Sequence, residues 1–69
     1  MFFMIGNQIK NRRKELKITQ QTLAELSGVS KNTIYQIERE QNNPSLEIIE
    51  KLADVLGMKL LLEVKNRVK

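Results

Sequence analysis

Lys31, Asn32, Gln36 and Arg39 place two cations and two amides on what would be one face of a short helix, with Tyr35 among them. These side chains form hydrogen bonds and hold charge, and that is the chemistry on offer. The chain has no histidine and no cysteine. Proton transfer near neutral pH would therefore need a perturbed carboxylate or lysine, and the usual Cys or Cys/His zinc sites are excluded. Ser27, Ser30 and Ser45 fall where helix caps or turns account for them, and no glycine-rich phosphate loop is present. Neither enzyme, cofactor nor metal is expected. Amides and cations together are the groups that read base edges and hold phosphates. The plainer alternative is a solvated helix face.

The elements that must position these residues lie in Ile18 to Glu38, ITQQTLAELSGVSKNTIYQIE. Thr19 has the character of an N-cap. Ile18 and Leu23 stand at the spacing of a hydrophobic staple, and Leu23, Ala24 and Leu26 form an inward stripe. Gly28 follows where a helix can end with positive φ. The pattern then repeats: Ser30 caps, Val29 and Ile34 staple, and Ile34 and Ile37 face inward. Two short helices with a small residue at their approach and a glycine at the corner have the spacing of a helix-turn-helix.

The rest of the chain supports that pair. A chain of 69 residues makes one small domain, only marginally stable alone. With no disulfide available, oligomerisation is the common remaining way to enlarge the core. The net charge of +4 and pI of about 9.7 favour nucleic acid as partner. Lys10, Arg12, Arg13, Lys14 and Lys17 crowd one segment, against Glu15. The apolar start MFFMI is too short for a signal-peptide core or a membrane span, so a cytoplasmic protein is expected. Met1 to Met4 either pack under the helices or extend toward another strand.

Helix 1 is predicted from about Ile5 to Lys17, with Ile5, Ile9, Arg13 and Leu16 on its apolar stripe. Arg13 there needs a partner, for which Glu38 is the candidate, unless its stem snorkels outward. Glu40 to Pro44 reads as a loop in which Asn42 and Asn43 either touch a nucleic-acid backbone or simply form the turn. Ser45 caps helix 4, whose inner stripe is Leu46, Ile49, Leu52, Ala53 and Leu56, widened by Ile48 and Val55. So wide a face fits core plus subunit interface, or core alone. Gly57 ends it. From Met58 to Lys65 the period changes to two, with Met58, Leu60, Leu62 and Val64 on one face. A strand pairing with its own copy across a two-fold axis is the expectation, with a continued helix as the alternative. Asn66 to Lys69 is a basic tail.

IKNRRKEL, ITQQTLAELSGVS, TIYQIERE and PSLEIIEKLADVLG stand in register with one another. From Ile5 to Gly57 they make the chain resemble the Xre/Cro-type helix-turn-helix family of the lambdoid phage repressors. The resemblance implies a mainly α, lambda-repressor-like helical bundle over residues 1–57, with residues 58–69 as a dimerisation strand and tail. It implies a homodimeric, sequence-specific regulator of transcription, most simply a repressor, that binds double-stranded DNA and requires no cofactor. Carried over by position, Lys31, Asn32 and Gln36 match base-contacting residues. Gln20 matches a glutamine that contacts phosphate and braces the recognition helix, and Gln21 adds a possible phosphate donor. Thr33 and Tyr35 match positions touching backbone or base methyl groups. Lys10, Lys14, Arg39, Asn42 and Asn43 are secondary phosphate candidates, and Arg13 and Glu38 match a buried ion pair. Five helices are usual in the family, whereas four and a strand are expected here. The closing strand looks more like that of HipB-type antitoxins, which repress their own operon and bind a HipA-type kinase toxin. That likeness makes a toxin protein a second possible partner. A third reading is a protein-interaction or RNA-binding module that uses this fold without specific DNA contacts, against which the basic recognition face speaks.

Overall fold

Thr19, Ser30 and Ser45 are the positions where the chain turns into a helix. In the computed structural model, which describes residues 5–61, the elements are α1 (Ile5–Glu15), α2 (Gln20–Ser27), α3 (Lys31–Glu38) and α4 (Leu46–Leu56). Each of the three side chains accepts a hydrogen bond from the amide three residues on: Thr22 at 3.0 Å, Thr33 at 3.1 Å and Ile48 at 3.2 Å. One of the orphan donors of each first turn is thereby satisfied.

All four helices are followed by a residue with positive φ: Lys17 (59°), Gly28 (79°), Glu40 (58°) and Gly57 (68°). After α2 the Gly28 amide donates to the Ala24 carbonyl at 2.9 Å. After α4 the Met58 and Gly57 amides return to the carbonyls of Ala53 and Asp54, the paired bonds of a Schellman closure. The same pair recurs after α1, from Ile18 to Arg13 and from Lys17 to Lys14. It recurs after α3, from Gln41 to Gln36 and from Glu40 to Ile37. Helix 1 therefore ends at Glu15, short of the expected Lys17, because Lys17 itself reverses the chain.

The helices bury Ile9, Leu23, Val29, Ile34, Ile37, Ile49, Leu52 and Leu56 in one core. Each such side chain contributes about 1.5–3 kcal/mol of transfer free energy. Both staples form around it: Leu23 and Ile34 are fully buried, Val29 is buried and Ile18 packs against the cluster. Helices α1 and α2 both pack on α3 and on α4. Where α1 meets α3 the backbones nearly touch. A Cβ on Gly6 would collide with the Ile37 carbonyl oxygen, so glycine is the residue that permits this approach.

Three expected core leucines are instead exposed: Leu26 at 64%, Leu46 at 51% and Leu16 at 40%. The inward arc of α2 runs through Gln20, Leu23, Ala24 and Ser27, which are spaced i, i+3, i+4, i+7. Leu26 falls off its edge. Leu46 lies in the first turn of α4, ahead of the buried set Ile49, Leu52, Ala53 and Leu56. Leu16 lies beyond the end of α1. Ile48 and Val55 are half-buried, packing against the core as the widened α4 stripe anticipated.

Beyond Gly57 the helix does not continue. Residues 58–61 adopt no helix and no paired strand. Met58 and Leu60 turn onto the core, beside Ile5, Ile9, Ile49 and Ala53, while Lys59 and Leu61 are exposed. The expected alternation holds over these four positions. Leu62 and Val64, with the remainder of the anticipated strand and the tail, lie outside the described residues, as do Met1 to Met4. Among the described residues, no helix is long and apolar enough to cross a membrane.

Candidate nucleic-acid interface

Helix α3 is built to present one face and anchor the other. Ile34, Ile37 and Glu38 are buried, whereas Lys31, Asn32, Tyr35 and Arg39 are exposed, and Thr33 and Gln36 are half-buried. The outward set foreseen for this helix is thus outward, with Gln36 at its edge.

Behind it lies a hydrogen-bonded cluster. Arg13 holds the Glu38 carboxylate in a fork, Nε to Oε2 at 2.7 Å and Nη2 to Oε1 at 2.9 Å. Arg13 Nη1 also donates to the Ile18 carbonyl at 2.9 Å, and Gln20 Nε2 donates to Glu38 Oε1 at 3.0 Å. No buried side-chain polar atom among the described residues lacks a partner. The Glu38 hydrogen bonds raise the Arg13 pKa above its ordinary value, and the nearby carboxylate charge adds to this against the opposing effect of burial. The guanidinium therefore remains charged. α1, the start of α2 and the last turn of α3 all meet on one carboxylate, which fixes the tilt of α3. Arg13 and Glu38 form the expected pair, and Gln20 makes the bracing contact expected of it.

In front of that cluster is an open groove lined by Arg13, Lys17, Ile18, Thr19, Gln20, Gln21 and Lys31. It joins the end of α1, the start of α2 and the start of α3. Two lysines, Lys17 and Lys31, and the first turn of α2 line it, and basic residues beside a helix N-terminus favour a phosphate. Lys17 lies in the basic segment but is not among the expected contacts. Nothing local to Lys17 marks it, because its position depends on the reversal after α1.

The other expected residues divide. Gln21 is exposed and donates to Glu25 at 3.1 Å, within its own helix. The Thr33 hydroxyl is engaged by Ser30 at 2.8 Å. Arg39 lies over the Tyr35 ring, 5.3 Å from its centroid, so these two side chains act as a stacked unit. Lys14 and Asn43 are exposed and Lys10 is half-buried; none of them lines the groove. Asn42 donates to Gln36 Oε1 at 3.1 Å, which ties the loop to α3. Arg12 belongs to the same basic segment but has a different task. Its Nε donates to the Leu56 carbonyl at 2.9 Å, capping the end of α4, and Nη1 pairs with Glu15. Cations at helix C-termini are favourable, yet a contact across 44 residues leaves no signal in local spacing.

The chain is 43% identical over 56 residues to the immunity repressor protein of Bacillus phage phi105, covering 81% of this chain and 39% of that protein. It is 42% identical over 66 residues to the HTH-type transcriptional regulator SinR of Bacillus subtilis, covering 91% and 60%. With SinR of Bacillus licheniformis the identity is 45% over 56 residues, covering 80% and 50%. The chain thus spans about half the length of these relatives. No solved structure gives a significant match. A helix-turn-helix family model matches residues 9–62, from the buried Ile9 through every element that builds the α3 face, and the chain belongs to that helix-turn-helix family.

Proposed function

We propose that this protein is a sequence-specific DNA-binding regulator of transcription, acting in the cytoplasm as a homodimeric repressor on a palindromic operator. The observation that carries the reading is the two-sided construction of α3. Lys31, Asn32 and Gln36 lie toward the outside of a helix whose inner carboxylate is clamped by Arg13 and Gln20. A reading helix has to be held rigidly while its outer side chains meet base edges. The groove with Lys17, Gln20, Gln21 and Lys31 supports a phosphate contact alongside it. Lys10, Lys14, Arg39 and Asn43 serve as further backbone contacts in this reading. The names of the relatives, an immunity repressor and two transcriptional regulators, point the same way.

Dimerisation is assigned to residues 58–69. Its support is the alternation of Met58 to Lys65 and the small core of a domain this size. Because Met58 and Leu60 pack on their own core, pairing between copies would run through the backbone edge. The antitoxin alternative rests on this same stretch, and co-purification with a kinase-like neighbour would favour it.

Selection of binding sites from a random duplex library at near-physiological salt tests the proposal. A palindromic motif with half-sites one turn apart, about 34 Å, is expected. Weak, salt-sensitive binding without a motif would refute it.

A further inference from the structure

We propose that Asn42, outside the reading helix, determines which base Gln36 selects. The inference rests on the regulator reading above and adds a specificity-determining position to it. A glutamine amide has an acceptor end and a donor end, and either can face a base. Here Asn42 engages one of the two ends. Asn42 Nδ2 donates to Gln36 Oε1 at 3.1 Å in a part-buried contact. The oxygen is drawn toward the loop, which leaves Nε2 as the outward end.

The loop is held well enough to impose this. Its reversal at Glu40, with φ of 58°, is closed by the Gln41 amide on the Gln36 carbonyl at 2.8 Å. Glu40 Oε2 accepts from the Asn7 amide of α1 at 2.9 Å. At the far end Pro44 is buried and Ser45 caps α4. Asn42 therefore comes from a segment pinned on both sides, and it meets Gln36 across six positions of sequence.

A donor-first glutamine suits a base edge made of acceptors. Guanine offers N7 and O6 side by side in the major groove, whereas adenine pairs N7 with an amino donor and cytosine offers an amino donor. Gln36 held by Asn42 thus favours guanine, with two acceptors, over adenine and cytosine, and over thymine, whose single acceptor O4 stands beside a methyl group. Aspartate at position 42 can only accept. It would attract Nε2 and turn Oε1 outward, toward the amino groups of adenine or cytosine. Alanine would release the amide altogether.

The test measures competition among duplexes that differ at one symmetric pair of positions, the pair at which Gln36→Ala abolishes preference. Wild type should favour guanine there by about ten-fold over adenine and cytosine, and by less over thymine. Asn42→Asp should move the preference to adenine or cytosine, and Asn42→Ala should flatten it. Preference at the other positions and the melting midpoint should stay near wild type. An unchanged profile in both Asn42 variants would overturn the proposal. So would a loss spread evenly over all sequences, which would mark Asn42 as a backbone contact or a structural residue. Motif-free binding by wild type would take down the regulator reading and this assignment together, whereas a wild-type motif untouched by Asn42 takes down this assignment alone.

Discussion

The ends of α2 and α4 and the ends of α1 and α3 have the same left-handed geometry but reach it differently. Gly28 and Gly57 adopt positive φ without a Cβ penalty. Lys17 and Glu40 pay that penalty, about 1–2 kcal/mol for an L-residue, and are held there by groups from elsewhere. Arg13 grips the turn at Lys17 twice: its carbonyl accepts from the Ile18 amide, and its Nη1 donates to the Ile18 carbonyl. Glu40 is held by its own carboxylate on the Asn7 amide. The glycine ends belong to the scaffold. The strained ends border the surface assigned to DNA, for Lys17 lines the groove and Glu40 leads into the loop that carries Asn42. Strain of this kind persists where the surroundings over-determine it.

The strained ends are most vulnerable at Arg13. Arg13→Ala removes the grip on the Lys17 turn and strands the Glu38 carboxylate, whose side chain is 2% exposed. A loss of about 3–5 kcal/mol is expected in denaturant unfolding, since an uncompensated buried charge remains. Arg13→Ala combined with Glu38→Leu should recover part of the loss. An Arg13→Ala midpoint equal to wild type would mean that the pair contributes nothing and that the turn holds itself.

Gly28→Ala probes a glycine end free of other effects, because a Cβ there meets nothing within 4 Å. Its cost should be the φ penalty alone, about 1–2 kcal/mol by thermal or chemical unfolding. Glu40 dissects a strained end. Glu40→Ala keeps the strain and loses the cap on α1, for about 1 kcal/mol of destabilisation. Glu40→Gly loses the cap but relieves the backbone, so it should be the more stable of the two variants by about 1 kcal/mol. Equal stabilities would show that the positive φ at residue 40 carries no strain.

The two kinds of helix end also mark what could be read before the structure. Thr19, Ser30, Ser45, Gly28 and Gly57 act on residues within a few positions of themselves, so their spacing announced the helices, and the inner and outer faces of α3 followed. Arg13 and Glu38 were legible because a charge on an apolar stripe demands a partner. The reversal at Lys17, the Glu40 cap on Asn7 and the Arg12 cap on Leu56 join segments far apart in the chain, and lysine, glutamate and arginine are ordinary surface residues by composition. Leu16, Leu26 and Leu46 show the opposite failure. Their periodicity was compatible with burial, but helices of two or three turns bury only the arc their neighbours reach. In the site, helical spacing placed Gln36 on α3 but gave no sign of the Asn42 amide bound to it.

Lys17→Gly should have the smallest effect on stability and a separate one on function. If the α1 end differs from the α2 end only by its Cβ, glycine there should stabilise the fold by up to about 1 kcal/mol. Lys17 nevertheless borders the groove with Lys31 and Gln20. Removing its ammonium should weaken binding to every duplex alike and reduce the magnitude of the salt slope by about 1. Stability and affinity would then move in opposite directions under one substitution, as expected of a residue held in strain for the position of its side chain. A gain in stability with unchanged binding would make Lys17 a spectator in an otherwise ordinary turn. A loss of both would place its aliphatic stem among the contacts that hold α1 to α2.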